Sequence, residues 1–236
     1  MRSAALLVLV GLFGGCAGTE DRVDAANTAV VDQYGHDAPT VVGLYAETDA
    51  GAIFMDCATT KEFEVVRAGD SDALHRAVRA LPRPVDTPVI VSLIGGGEND
   101  GFYVKRFLAV WPEETCEKAG VHTPLDNTYW KLVELNGTPV TPHENQREMH
   151  IILRTQSNQI GGFGGCNTLG GRYEVDGDRL RFVGLTSTEM ACNYRDEERA
   201  FIDVLTRTTN YRSVGESLQL RDDTGPIARL RAVYLR

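Results

Sequence analysis

The side chains best equipped for chemistry are five cysteines, Cys16, Cys57, Cys116, Cys166 and Cys192, and five histidines, His36, His75, His122, His143 and His150. No C-x-x-C and no H-x-x-x-H occurs, so a zinc site lacks its usual spacing. The four cysteines after Cys16 form an even set, which reads as disulfides in a compartment where they persist. Three pairings are open. If a domain boundary lies near residue 120, only Cys57 with Cys116 and Cys166 with Cys192 keeps each bridge inside one domain. Bridges closing loops of such lengths stabilise by roughly 3.5 to 4.5 kcal/mol each on the chain-entropy view.

The remaining chemistry-bearing residues are scattered. None of the histidines forms a recognisable nucleophile-base arrangement with a serine or cysteine. His143, Glu144 and His150 match no standard metal spacing. Gly95-Gly96-Gly97-Glu98-Asn99-Asp100-Gly101 lacks the alternating Asp and distal Glu of a calcium loop and reads as a flexible hairpin. Gly161-Gly162-Phe163-Gly164-Gly165-Cys166-Asn167 invites a phosphate-loop reading, but no Gly-Lys-Ser/Thr follows and the Gly-x-Gly-x-x-Gly spacing fails. Its glycines fit a bulge or a close backbone crossing, with Asn167 bonding local main chain. The sequence therefore offers no catalytic set, no metal site and no cofactor site.

Cys16 stands apart. Met1-Arg2 precedes an apolar run from Ala4 to Phe13 and then Gly14-Gly15-Cys16, the layout of a secretory signal over residues 1–15. Ten apolar residues at about 1.5 Å each reach only about half of a roughly 30 Å hydrocarbon core, too short for an ordinary span. Phe13-Gly14-Gly15-Cys16 resembles the lipobox of bacterial lipoproteins, with Phe13 where Leu is usual. That resemblance implies cleavage before Cys16 and acylation of its thiol, and a multiply acylated cysteine anchors firmly. Ala17 in place of Asp favours the outer membrane, with the protein facing the periplasm. Residues 16–38, from the lipidated N-terminus onward, are small and polar and read as a tether.

The charge is −9, with 33 acidic and 24 basic residues. No cluster of Lys and Arg breaks that excess, which argues against nucleic-acid binding and for solubility.

Two small domains must position these residues. In 39–118, Val41 to Tyr45, Ala52 to Cys57 and Lys61 to Val66 are β-prone. Asp70 reads as the N-cap of a helix over Ser71 to Leu81, which Pro82 and Pro84 end. Val89 to Ile94, Phe102 to Val104 and Phe107 to Trp111 complete a small closed sheet, with an oligonucleotide/oligosaccharide-type barrel as a candidate. Residues 117 to 125 read as a linker. In 125–236 strands recur at Tyr129 to Leu135, Met149 to Leu153, Gln159 to Phe163, Gly171 to Val175, Leu180 to Val183, Leu218 to Arg221 and Ala228 to Leu235. Asn136-Gly137 and Asp176-Gly177 mark tight turns. One helix, Asp196 to Thr208, carries Ala200, Phe201, Val204, Leu205 and Thr208 as an apolar stripe behind the acidic turn Asp196, Glu197 and Glu198. The fold class is α+β, mainly β, with a barrel-like first domain and a second with one packed helix.

Tyr129-Trp130-Lys131-Leu132, Gly164-Gly165-Cys166-Asn167 and Thr188-Glu189-Met190-Ala191-Cys192, followed by Phe201 to Leu205 and Leu218-Gln219-Leu220, make residues 125–236 resemble the META/HslJ-like family. Many members carry Arg or Lys where Glu189 stands. The resemblance implies a compact strand-rich domain of envelope or secreted proteins, linked to stress and drug tolerance, without enzyme chemistry. Gly43-Leu44-Tyr45, Phe54-Met55-Asp56-Cys57 and Trp111-Pro112-Glu113-Glu114-Thr115-Cys116 make the first half resemble the NlpE-like domain of lipoproteins, although that family's C-x-x-C is absent. The function these features imply is a non-enzymatic envelope lipoprotein, a binding or accessory factor in envelope stress, drug tolerance or maintenance with an envelope protein as partner. The alternative is a periplasmic inhibitor or small-ligand-binding module.

Overall fold

The computed structural model describes residues 40–84, 86–141, 147–191 and 195–234. Cys16, the leader and tether, His36, His143, Glu144 and Cys192 lie outside the described residues. Among the described residues no helix is long and apolar enough to cross a membrane.

The first half is a closed barrel of five strands, β1 (Thr40–Thr48), β2 (Gly51–Asp56), β3 (Glu62–Val65), β4 (Val89–Glu98) and β5 (Gly101–Trp111). Their order is β1-β2-β3-β5-β4, with β4 returning to β1 and β3 running parallel to β5. Helix α1 (Ser71–Arg79) makes the crossover between β3 and β4 and buries Leu74 and Val78. Closure leaves no free edge to template aggregation. Tyr45, Phe54, Val91, Leu93, Phe102 and Val104 fill the interior.

Two details depart from the sequence expectation, and they are connected. The stretches Phe102 to Val104 and Phe107 to Trp111 are one strand, β5, interrupted by bulges. Its register against β4 slips between Ile94 and Gly95 and again between Ser92 and Leu93, so Lys105 and Leu108 are left without direct partners. A bulge bends and re-aims a strand without ending it. Asp70, in turn, makes no side-chain cap to α1. Its carboxylate accepts from the Phe107 N–H at 2.9 Å, a backbone donor between those two unpaired positions. The residue type suited a cap, but a nearby strand donor took the oxygen.

β4 also runs past Ile94 through the three glycines to Glu98, and Asn99 turns the hairpin at φ 54°. A Cβ on Gly97 would stand 2.0 Å from the Phe63 ring, so glycine there is a packing requirement. The run Val89 to Ile94 is buried on both faces because Ile90 turns to a second small core with Ala109 and Trp111, and Ser92, its one polar residue, accepts from the Trp111 indole N–H at 3.1 Å.

The second half contains a nine-stranded sheet: β6 (Tyr129–Leu135), β7 (Thr138–Pro139), β8 (His150–Arg154), β9 (Gln159–Phe163), β10 (Thr168–Asp176), β11 (Arg179–Ser187), β12 (Asn210–Val214), β13 (Ser217–Asp222) and β14 (Gly225–Val233). β14 pairs with β6 and closes the ring, and β7 folds onto β6 through Asn136 (φ 49°) and Gly137 (φ 77°). The ladder between β11 and β12 has a single register pair, Arg179 with Asn210, flanked by backbone bonds from the Leu180 N–H to the Thr209 carbonyl and from the Tyr211 N–H to the Asp178 carbonyl. Helix α3 (Arg195–Arg207) connects these two strands and sends Phe201, Val204 and Leu205 into the core around Trp130, Leu132, Ile151 and Leu218. β12 and β7 escape the sequence reading. β12 is half-exposed along its length and shows no apolar alternation to reveal it.

Residues 117 to 125 are not a featureless linker. A short helix α2 (Cys116–Ala119) sits there, capped by Thr115, whose hydroxyl accepts from the Lys118 N–H. Around it the barrels meet. Glu114, only 7% exposed, accepts from the Ser217 hydroxyl at 2.6 Å. The Gln219 amide donates to the Val110 carbonyl at 3.0 Å, and Lys118 pairs with Glu216 at 3.2 Å. Arg231 pairs with Glu113, and Val214 packs against the small core holding Trp111.

Candidate functional site

The motif residues of the second half converge on a side chain that the sequence reading had assigned only to helix polarity. Glu198, in the first turn of α3, is 6% exposed. Its Oε2 accepts from the Asn167 N–H at 2.5 Å and the Cys166 N–H at 3.2 Å, and its Oε1 accepts from the Asn167 side-chain amide at 2.8 Å. The Asn167 oxygen then receives the Thr188 hydroxyl at 2.9 Å and the Met190 N–H at 2.7 Å. The Gly164 N–H donates to the Asn167 carbonyl at 2.9 Å and closes the turn.

This arrangement explains the motif by physical necessity. A buried carboxylate needs several donors, and here three arrive from one tight turn. A Cβ on Gly164 would lie 2.8 Å from Glu198 Cγ, so the turn must be glycine to come so close. Gly165 holds a positive φ of 109°. Thr188 and Asn167 together pin the chain after β11 to the chain before β10. Met190, 65% exposed, contributes only its backbone, and Ala191 is exposed as well. Cys166 is disulfide-bonded. The signal that could have revealed Glu198 was the excess of three acids in one helical turn, more than a helix dipole requires.

The first half has its own buried polar cluster. Glu47, 8% exposed, accepts from Arg79 Nε at 2.9 Å and lies 2.9 Å from His75 Nδ1, while the Tyr45 hydroxyl is 2.8 Å from the same nitrogen. Burial alone would raise the Glu47 carboxyl, but the hydrogen bonds and charges of Arg79 and His75 outweigh it and hold the group below the usual carboxylate range. Burial first, then the charge of Glu47, pushes the Tyr45 phenol well above its ordinary value. A fully buried phenol so reluctant to ionise is a poor nucleophile or base. His75 thus has partners, contrary to its scattered place in the sequence, but the cluster braces the barrel end.

Two clefts open at the seam. A cleft of about 270 Å³ lies between the barrels, with Ala77, Leu81 and Phe107 on one wall and Gln219, Arg221 and Arg229 on the other. Leu108, a position the β5 bulge leaves unpaired, is buried and lines this cleft and a second one bounded by Trp111 and Tyr211. Among the described residues no group of three or more His, Cys, Asp or Glu side chains is placed to hold a metal ion.

Residues 123–234 match the model of the META domain family. The C-terminal barrel is a META domain. Its boundaries enclose the whole Glu198–Asn167 network and every strand from β6 to β14. The chain is also similar to three solved structures. One, an NMR structure of a protein from Burkholderia xenovorans, is 26% identical, covers 47% of this chain and 85% of its own, and gives a TM-score of 0.39. A second NMR structure is 21% identical over 45% of this chain and 90% of its own, with a TM-score of 0.38. The third, a crystal structure of a DUF4847 family protein from Bacteroides vulgatus, is 16% identical over 47% of this chain and 94% of its own, with a TM-score of 0.34. No curated protein matches the chain.

The Glu198–Asn167 network is therefore a structural fastener within the META domain of this chain. Its glycines, asparagine and threonine hold one loop to one helix, and the residues that complete it come from across the barrel.

Proposed function

We propose that this chain is a lipid-anchored protein of the cell envelope that acts by binding, as an accessory factor in envelope stress, drug tolerance or maintenance, and not by catalysis. The observation that carries the reading is the Cys57–Cys116 bond, with Cα atoms 5.0 Å apart, a cross-link that persists outside a reducing cytosol. It accords with the secretory leader and with Cys16 at the end of a lipobox-like sequence. The acylated Cys16 would hold the protein on the periplasmic face of the outer membrane, and residues 17 to 38 would give the barrels reach toward an envelope protein partner. The strong acidity, −9 overall, suits neither nucleic acid nor an anionic lipid surface as ligand.

The test is metabolic labelling with palmitate, with Cys16→Ala beside the wild type. Label and membrane retention are expected in the wild type and absent in the variant. Unlabelled wild type, with the variant fractionating identically, removes the anchor.

One observation favours a second reading, a small-ligand-binding module. The seam cleft combines an apolar wall with a polar one, the usual make-up of a ligand site, at a usual place between two domains. Its volume of about 270 Å³ suits a small molecule. A thermal-shift screen of envelope metabolites, with Ala77→Phe filling the cleft, tests it; hits that persist in the filled variant bind elsewhere.

A further inference from the structure

The Cys57–Cys116 bond sits where it controls more than one barrel. Cys57 follows the end of β2, and Cys116 is the first residue of α2, the element between the two domains. We propose that this bond is a thiol–disulfide exchange site whose oxidation state decides whether the two barrels stay docked. The inference goes beyond the anchored-binder reading and does not depend on the anchor.

Access comes first. Cys57 and Cys116 are both half-buried, so neither sulfur is sealed in a core. A cleft of about 330 Å³ opens over the pair, walled by Val41, Val42, Asp56, Ala58 and Gly120. A thiolate must reach sulfur to exchange, and here the path is open.

Leverage comes second. α2 has four residues, far too few to persist as a helix without outside support. The disulfide holds its first residue against the wall of the first barrel. From that fixed position Lys118 reaches Glu216, and the Lys118 carbonyl closes over Gly215, a turn residue at φ 57° where a Cβ would stand 2.8 Å from that oxygen. Cys57, Cys116, Ala119 and Val214 all pack on the same small core around Trp111. The bond is thus part of the seam itself. Once it opens, α2 has lost its tie, and the Glu114–Ser217 and Gln219–Val110 hydrogen bonds are too few to hold the seam without it.

The chemistry balances with a dithiol oxidoreductase as co-reactant. One thiolate of that partner attacks the Cys116 sulfur, forms a mixed disulfide and expels the Cys57 thiolate, which takes up a proton. The partner's second thiol, losing its proton to solvent, attacks its own sulfur in the mixed disulfide and releases the Cys116 thiolate, which is protonated in turn. The partner leaves oxidised to a disulfide, and two electrons have moved to Cys57 and Cys116.

The experiment uses the full chain as wild type and as the double variant C57S/C116S. Solution X-ray scattering measures the maximum dimension, trypsin cleavage after Lys118 measures release of α2, and thermal melts followed by circular dichroism report whether both barrels remain folded. Dithiothreitol, with timed alkylation and mass spectrometry, gives the order in which the cysteines of the wild type are reduced. The expected results are a larger dimension, about tenfold faster cleavage after Lys118 with both barrels still folded, and reduction of Cys57 and Cys116 before Cys166. Unchanged dimension and protection at Lys118 overturn the proposal. So does a variant whose first barrel unfolds, because a switch requires both states to survive. Reduction of Cys57 and Cys116 no earlier than Cys166 also overturns it.

Discussion

The two barrels solve one problem in different ways. Each must lock a helix and the loops around it onto strands, and each does so with a buried carboxylate, Glu47 in the first and Glu198 in the second. Glu47 is satisfied by side chains, a guanidinium and an imidazole that carry or can carry charge. Glu198 is satisfied mainly by backbone N–H groups and one amide, all neutral. Side-chain partners bring charge compensation but spend rotamer freedom, whereas a tight glycine turn presents its donors already fixed. The second arrangement is therefore tied to backbone shape and imposes a sequence motif. The first leaves no motif.

The sharpest way to break this comparison is Glu198→Ala. Removing the acceptor leaves buried donors at Cys166 and Asn167 unpaired, each costing about 1 to 3 kcal/mol. A loss of roughly 3 kcal/mol is expected, confined to the META domain, as read by denaturant unfolding of that barrel. An equal loss in both barrels would show that the network does not belong to one domain.

Glu47→Gln comes next, at about 2 kcal/mol in the first barrel, discounted because Arg79 is itself solvent-exposed. Its pH dependence has a definite sign. The folded carboxyl titrates below its unfolded value, so its stabilisation is complete above the ordinary carboxylate range and disappears as pH falls through the lowered folded value. Acid melts of the first barrel should steepen there in the wild type and flatten in the variant.

The META domain should respond at milder acidity through His150. Burial lowers its pKa, and Arg147 adds to that, against the opposing bond to the Glu148 carbonyl. The imidazole stacks on Tyr129 with centroids 4.2 Å apart. The unfolded chain takes up the proton first, so stability is full above about pH 6.5 and falls as pH drops below it. Differential scanning calorimetry between pH 5 and 8 should find the META domain melting point declining while the first barrel holds, and His150→Gln should remove the slope.

The smallest effect sharpens the border between the two regions. Ser217→Ala deletes the hydroxyl that Glu114 accepts across the seam and should cost about 1 kcal/mol. It should separate the melting of the barrels more than it lowers either one, and a uniform downward shift would place the hydrogen bond inside one folding unit.

The sequence made some elements legible and hid others for identifiable reasons. The periodicity of Leu74 and Val78, and of Phe201, Val204 and Leu205, revealed both long helices because each buries a single stripe. Asn136-Gly137 betrayed its turn because few residue pairs adopt two positive φ values in succession. β12 stayed hidden, since its residues are all half-exposed or exposed. The N-cap expected at Asp70 failed because its competing donor, Phe107, lies 37 residues away.

By itself, the amino-acid sequence determined the strand-rich character of both halves, the positions of their two long helices and the membership of the second half in the META domain family. Those are properties of local pattern, governed by side-chain period, turn chemistry and glycine. Tertiary structure alone decided that Glu198 completes the motif, that His75 joins Tyr45 and Glu47, and that the barrels dock through Glu114, Ser217 and α2. Each of these depends on groups far apart along the chain, and a buried polar group takes whichever partner the packed fold places within reach.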